Sequence, residues 1–129
     1  MHTFVLKRID AIKGRQEFDK LCMDGCCLFD EFEEGLLTCY KSELEGIYNV
    51  MQNVADLKSV PYNKFHFYDD GENGVREFEF KSKHLRVYGI TKKNGKIVIT
   101  GGTKANQPND VTKFHRIKDL YLASLKKTK

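Results

Sequence analysis

Basic side chains are concentrated towards the C-terminal end of the sequence. Residues 81–129 contain 13 Lys/Arg and 2 Asp/Glu, a balance of +11, whereas residues 1–80 contain 9 and 16, a balance of −7. A segment with such an excess of positive charge attracts polyanions, so nucleic acid or an acidic protein is the leading ligand class. Charge alone is equally typical of lysines that only solvate a surface, and the chemistry of individual residues has to separate the two interpretations.

Arg86 is the most informative of these cations. It stands inside the apolar stretch LRVY, between Leu85 and Val87. An arginine among such neighbours is costly to desolvate unless it meets an acceptor. Two interpretations follow: a structural ion pair with Glu77 or Glu79 on a neighbouring strand, which the residues themselves favour, or a binding site for an anion such as phosphate.

The sequence contains four cysteines, and their spacing offers little chemistry. Cys26 and Cys27 are adjacent, which is poor geometry for a shared tetrahedral metal site, and no histidine lies near them at metal-ligand spacing. We therefore expect no metal and no redox role, but reduced thiols that pack in the interior. This expectation covers Cys22, Cys26, Cys27 and Cys39.

Length and composition indicate one soluble domain over residues 1–129. A chain of 129 residues with 40% hydrophobic and 31% charged residues is typical of a single compact domain. No stretch approaches the roughly 20 apolar residues that cross a bilayer. Charges between Met1 and Asp10 occupy the place where a signal peptide needs an apolar run. A cytoplasmic protein is expected.

The first half of the chain predicts a strand followed by two helices. Residues 3–9 favour a strand. Apolar residues spaced by three and four from Phe18 to Phe32 predict a helix over residues 15–34, and the same period over residues 37–57 predicts a second helix that ends before Pro61. The two helices are predicted to form a hairpin.

The second half predicts a sheet and a final helix. Alternating residues indicate strands near residues 65–68, 75–81, 84–92 and 96–100, and the Asn94-Gly95 dipeptide is typical of a tight hairpin. A helix with a lysine-rich end follows from about Val111. The fold class is α+β: an N-terminal strand and helical hairpin packed on one face of a twisted, antiparallel, mixed-edge sheet of about four to five strands, with a C-terminal helix. The other face is predicted to be free.

One stretch of these strands resembles a known family. The sequence VREFEFKSKHLRVYGI, from Val75 to Ile90, looks like the central signature of the RelE/ParE superfamily of bacterial toxins. The Gly102-Thr103-Lys104 turn, followed by Gln107-Pro108 and a basic helix, is similar to the phage-derived HigB-like branch. The similar part spans about residues 61–125. The resemblance implies a RelE-like fold.

The resemblance also implies a function. Such proteins are the toxin components of type II toxin-antitoxin systems, mRNA endoribonucleases (mRNA interferases) that cut message on the ribosome without a metal or other cofactor and are held by a cognate antitoxin. The ribose 2′-hydroxyl attacks the adjacent phosphate, which requires a base, cations and an acid. Arg86 and Lys104 match the cations, while His84, Tyr88, His115 and Tyr121 are candidates for proton transfer. Substrate-binding residues would be Lys81, Lys83, Lys113 and Arg116.

Two features differ from the family pattern. Glu77 and Glu79 stand where many members place Lys or Arg, and they would repel phosphate unless one serves as the base. The chain also ends on a lysine-rich helix rather than on a tyrosine-bearing tail. The alternative function is therefore a non-catalytic protein of RelE/ParE fold that binds nucleic acid or inhibits gyrase.

Overall fold

The computed structural model describes residues 1–69 and 75–126. Two short 3-10 helices, Thr38–Tyr40 and Lys104–Asn106, precede the second and third α-helices. The strands and α-helices in chain order are β1 (Phe4–Arg8), β2 (Glu17–Met23), β3 (Cys26–Cys27), α1 (Leu28–Glu34), α2 (Lys41–Ala55), β4 (Phe65–Asp69), β5 (Glu77–Lys81), β6 (Leu85–Lys92), β7 (Gly95–Thr103) and α3 (Gln107–Lys126).

The strands form one mixed sheet of seven strands in the order β1-β2-β7-β6-β5-β4, with β3 paired to β2. Only the β2–β7 pair is parallel, and its register runs from Glu17 opposite Gly95 to Lys20 opposite Val98. All other strand pairs in the described ranges are antiparallel. The predicted α+β class and C-terminal helix are confirmed, whereas the sheet has its parallel pair in the interior instead of at an edge and is wider than the four to five strands expected.

The helix predicted over residues 15–34 is wrong in its first half, which forms β2 and β3. Phe18 packs in one core and Leu21 in the other, on opposite faces of the sheet. A strand buried on both faces places apolar residues at spacings that also fit a helix, and length and period alone do not separate the two. Asp24 and Gly25, both with positive φ, then turn the chain after β2. Only α1 remains helical.

Both faces of the sheet are covered, so the predicted free face is wrong, and the predicted pair of helices is reduced to α1 and α2 on one face. One core lies under α1 and α2 and includes Phe29, Met51 and Phe80. The other lies under α3 and includes Tyr88 and Phe114. The apolar side of α3 needs a surface to pack against, and the second face of the sheet provides it. The helix predicted over residues 37–57 is confirmed as α2, and none of the helices in the described ranges is long and apolar enough to cross a membrane.

The predicted hairpin between β6 and β7 is confirmed. Asn94 adopts a φ of 61°, the left-handed conformation that tight hairpin turns require. Position 95 requires glycine because the backbone of β2 approaches closely. A Cβ at this position would lie 2.2 Å from the carbonyl oxygen of Glu17. The turn therefore fixes both the hairpin register and the start of the parallel β2–β7 pair.

The cysteine prediction is wrong in two respects. Cys22 and Cys27 lie directly opposite each other in the β2–β3 pair and form a disulfide, with a Cα–Cα distance of 4.1 Å. Cys26 and Cys39 are free but exposed rather than packed in the interior. The prediction of a helix over residues 15–34 left out the β2–β3 hairpin, which brings Cys22 and Cys27 together.

Candidate functional site

Arg86 lies at the start of β6, between Lys81 on β5 and Gly102 on β7. Arg86 is only 8% exposed. The Nη1 atom donates to the carbonyl oxygens of Ser82, at 2.6 Å, and of Leu85, at 2.8 Å. Among the described residues Nε and Nη2 have no acceptor, and neither atom is fully buried. The guanidinium is thus fixed by backbone carbonyls while part of its fork stays available.

The predicted ion pair between Arg86 and Glu77 or Glu79 is wrong. Glu77 is held by α3, since its Oε1 lies 3.1 Å from His115 Nε2 and its Oε2 accepts a hydrogen bond from the Lys118 ammonium. Neither Glu77 nor Glu79 forms an ion pair with Arg86.

Glu79 is occupied in the same way. Its Oε2 accepts a hydrogen bond from Gln107 Nε2 at 2.9 Å, and its Oε1 lies 3.7 Å from His66 Nε2. The negative charges of Glu77 and Glu79, the two residues that depart from the family pattern, are therefore partly compensated by neighbouring side chains. Their repulsion of a phosphate at Arg86 is correspondingly reduced.

His84 is held by a carboxylate from α2. Its Nδ1 lies 2.6 Å from Glu43 Oε2, and its backbone N–H donates to Glu43 Oε1 at 2.9 Å. The Ser82 hydroxyl also donates to Glu43 Oε1. Burial raises the pKa of Glu43, but the hydrogen bonds from Ser82 and His84 outweigh it and lower the pKa to about 2.

The ionised state of Glu43 fixes the tautomer of His84. A carboxylate only accepts hydrogen bonds, so Nδ1 of His84 carries the hydrogen and Nε2 is the atom left for other partners. The His84 side chain is 44% exposed. The arrangement of an exposed imidazole oriented by a carboxylate through its second nitrogen is the one that acid–base catalysts use.

Lys81, Lys83 and Lys104 lie around this end of the sheet, whereas Arg116 lies further along α3, between His115 and Lys118, which contact Glu77. The backbone N–H of Lys104 donates to the carbonyl oxygen of His84 at 2.8 Å, which brings the start of the second 3-10 helix beside His84. Lys113 is exposed on α3, and Arg116 lies nearly one turn further along the same helix. Within residues 1–69 and 75–126 no ion pair involves Lys81, Lys83, Lys104, Lys113 or Arg116.

Tyr88 lies where it cannot contact a substrate in this conformation. The residue is completely buried under α3, and its hydroxyl lies near the Gln107 side chain without a well-formed hydrogen bond to any described residue. Burial, followed by the charges of Glu79 and Asp110, raises its pKa. We therefore place Tyr88 in the interior behind Arg86, as a residue that supports the sheet, rather than among the groups that transfer protons.

Asp110 is a site residue that the sequence did not single out. It is 7% exposed, and Oδ1 accepts a hydrogen bond from Asn106 Nδ2 at 3.0 Å, while Oδ2 has no hydrogen-bond partner among the described residues. Burial raises its pKa, against the hydrogen bond from Asn106 and the charge of Lys113. Gly102 makes room for the carboxylate, since a Cβ there would lie 1.8 Å from Oδ2.

A cleft of about 400 Å³ opens beside β7. It lies where β7 continues past its parallel pairing with β2 and α1 takes the neighbouring position. Tyr40, which lines the cleft, also packs on the His84 ring with a centroid distance of 5.0 Å. The cleft therefore reaches from Asp110 and Lys113 to the neighbourhood of His84. Its other walls are mainly Leu28, Phe32, Leu36 and Leu37.

Glu43 and Asp110 carried different signals in the sequence. Asp110 is one of only two acidic residues in the segment 81–129, and an isolated acid in a basic segment could have been noted. Glu43 gave no signal, because its contact with His84 joins residues 41 positions apart.

No family model, curated protein or solved structure matches this chain. The resemblance to the RelE/HigB family therefore stays a prediction. Within the described ranges, no group of three or more His, Cys, Asp or Glu side chains is arranged to hold a metal ion.

Proposed function

We propose that the protein is an endoribonuclease that cuts messenger RNA, the toxin component of a toxin-antitoxin system. The observation that carries the proposal is the state of Arg86, which is held by two backbone carbonyls and by no carboxylate of residues 1–69 and 75–126. An arginine fixed in this way keeps its positive charge uncompensated and its remaining donors oriented. A phosphodiester supplies the matching acceptors.

The cations around Arg86 suit the charge that develops during RNA cleavage. As the 2′-oxygen attacks phosphorus, negative charge grows on the non-bridging phosphate oxygens, and preorganised donors at this position lower the barrier. Arg86 provides the oriented donors. Lys81 and Lys104 add positive charge from the neighbouring strand and from the turn after β7.

Proton transfer is assigned to His84, with Glu43 as the residue that positions it. The Nε2 atom of the neutral ring accepts the 2′-hydroxyl proton. The 2′-oxygen then bonds to phosphorus, and the bond from phosphorus to the 5′-oxygen breaks. A proton from His84 in its protonated form, or from the Lys104 ammonium, completes the 5′-hydroxyl, and the other product end is a 2′,3′-cyclic phosphate. Glu43 holds the ring orientation throughout.

The unpaired cations also suit a protein partner. An antitoxin with an acidic segment would cover the basic end of the sheet and block the RNA site, because complementary charge favours both encounter and register. The ribosome is the second expected partner, since its RNA presents a dense array of phosphates to the same surface.

The test is cleavage of a ribosome-bound message and of free RNA by the purified protein and matched variants. His84→Gln should reduce cleavage by about 10²-fold or more, as expected for loss of a general base. His115→Gln is the matched comparison, because its side chain is 45% exposed and also contacts a glutamate. Circular dichroism and thermal unfolding must show that both variants fold.

Arg86→Ala should abolish cleavage, and Arg86→Lys should restore part of it, since charge returns without the planar fork. Arg15→Ala, an exposed arginine just before β2 and near the opposite end of the sheet, is the control. Product ends that carry 5′-phosphate instead of 5′-hydroxyl would contradict the 2′-hydroxyl mechanism. A folded wild type that cuts no RNA, with or without ribosomes, would leave nucleic-acid binding or gyrase inhibition as the function.

A further inference from the structure

An exposed aromatic pair lies at the edge of the sheet, outside the site described above. Tyr62 sits in the turn before β4, which is closed by a hydrogen bond from the Lys64 N–H to the Pro61 carbonyl oxygen. Its ring stacks on the His66 ring with a centroid distance of 4.5 Å and an interplanar angle of 24°. Tyr62 is 72% exposed, so the face turned away from His66 is open to solvent. An exposed ring held flat in this way presents a planar aromatic face on which another planar group can stack.

The pair lies on the same face of the sheet as Arg86. His66 is opposite Glu79 in the β4–β5 register, and the contact of Glu79 with Gln107 identifies this face as the one under α3. Lys81 lies two residues after Glu79 on β5, on the same face, and is directly opposite Arg86. Tyr62, stacked on His66, therefore shares a surface with Lys81 and Arg86.

A row of cations joins Tyr62 to Arg86. The Lys81 N–H donates to the Lys64 carbonyl oxygen, which makes these residues neighbours across β4 and β5. Lys64, Lys81 and Arg86 thus follow one another across three adjacent strands. Neither lysine has an ion-pair partner in the described part of the chain. Two strand spacings amount to about 10 Å, a distance that neighbouring nucleotides of one extended strand can span.

We propose that the open face of Tyr62 is a stacking platform for a base of single-stranded RNA, and that Lys64 and Lys81 guide the backbone from this platform to Arg86. The proposal deepens the nuclease function and rests on it only for the identity of the scissile phosphate at Arg86. An aromatic ring next to a line of positive charges is the combination that binds single strands without sequence preference. His66 backs the ring and holds its orientation.

The absence of tryptophan from the sequence allows a direct test. Tyr62→Trp creates a single-tryptophan protein whose fluorescence is quenched when a base stacks on the indole. The probe is a short oligouridylate or oligoadenylate with 2′-O-methyl riboses, which lacks the attacking hydroxyl and cannot be cut by the proposed mechanism. Val5→Trp, on β1 at the opposite edge of the sheet and 49% exposed, is the matched control.

We expect saturable quenching at position 62 and none at position 5, weakening strongly with added salt. Tyr62→Ala should lower the affinity for the oligonucleotide about tenfold, whereas Tyr62→Phe should keep it, because stacking needs the ring and not the hydroxyl. Lys64→Met should weaken binding and reduce its salt dependence.

The outcomes separate this platform from the nuclease proposal. Quenching at position 62 by a protein that cuts no RNA supports the platform and removes the nuclease. RNA cleavage with no quenching, or with Tyr62→Ala equal to wild type in affinity, overturns the platform and leaves the nuclease standing. An exposed Tyr62 that proves indifferent to oligonucleotides would instead be assigned to a protein contact.

Discussion

Lys96 offers the most quantitative test of how the structure is stabilised. Its side chain is buried on β7 with 5% exposure, and its ammonium donates to Gln16 Oε1 at 2.7 Å. The rings of Phe18, Phe65 and Phe67 surround the nitrogen at 5.7 to 5.9 Å from their centroids. Burial, with a smaller contribution from the positive charge of Arg76, lowers the pKa of Lys96 from 10.5 to about 8. Keeping Lys96 charged in the interior therefore lowers the stability of the folded protein.

Replacing Lys96 with methionine should stabilise the protein at neutral pH. The fall in pKa from 10.5 to about 8 corresponds to about 3 kcal/mol of destabilisation while the amine is charged. Loss of the hydrogen bond to Gln16 and of the cation–π contacts offsets about 1–2 kcal/mol of this gain. Lys96→Met should accordingly raise the free energy of unfolding by about 1–2 kcal/mol near pH 7.

The pH dependence gives the sharper criterion. Between pH 8 and 10.5 the folded state binds fewer protons at Lys96 than the unfolded state, so the wild type gains stability as pH rises through this window. The destabilisation from Lys96 should fall from about 3 kcal/mol at pH 8 to about 1 kcal/mol at pH 10. The difference between wild type and Lys96→Met in urea unfolding isolates this effect, because all other groups titrate alike in both proteins.

Lys93→Met, an exposed lysine in the hairpin turn, is the control and should change neither the stability nor its pH profile. A difference between wild type and Lys96→Met that stays constant from pH 8 to 10 would refute the reasoning. So would a Lys96→Met variant less stable than wild type at pH 7, since the aromatic contacts would then outweigh the cost of burial.

Three further predictions concern polar groups that are buried or half-buried. Gly102→Ala should destabilise by about 1–3 kcal/mol in urea unfolding, because its Cβ would overlap the Asp110 carboxylate. Glu43→Gln should lose the stability that the depressed pKa of Glu43 provides above about pH 4.5 and that disappears as pH falls towards 2, so acid unfolding curves of variant and wild type should converge at low pH. Tyr88→Phe should cost no stability in thermal unfolding, since the buried hydroxyl lies near Gln107 but makes no well-formed hydrogen bond within the described ranges, and a clearly lower Tm would contradict this.

Local signals explain which elements the sequence predicts well. The Asn94-Gly95 turn is specified by its own residues, and the one-sided apolar pattern of α2 matches its burial against one core. The helix predicted over residues 15–34 is wrong because of tertiary packing. Its apolar residues serve two cores on opposite faces, and the second core exists only because α3 returns to cover the sheet.

The same distinction applies to the site. Arg86 is predicted because a charged residue inside an apolar strand is visible in the sequence itself. The choice between its two interpretations depends on where Glu77 and Glu79 point, and α3 decides that by bringing Lys118 and Gln107 to them. Glu43 contributes through a contact between distant segments, which no spacing along the chain records.

The fold also converts the charge asymmetry of the sequence into a local surface. Acidic residues of the first half are neutralised by cations of the second half, as in the contacts of Lys92 with Glu17 and Asp19, and of Lys118 with Glu77. These pairs remove part of the basic excess from the opposite end and the middle of the sheet. Arg86 lies at one end of the sheet. The lysines at this end have no such partners in the described part of the chain; they are Lys81, Lys83 and Lys104. Positive potential is thereby left where the oriented guanidinium and imidazole lie, which is the distribution that a polyanionic substrate requires.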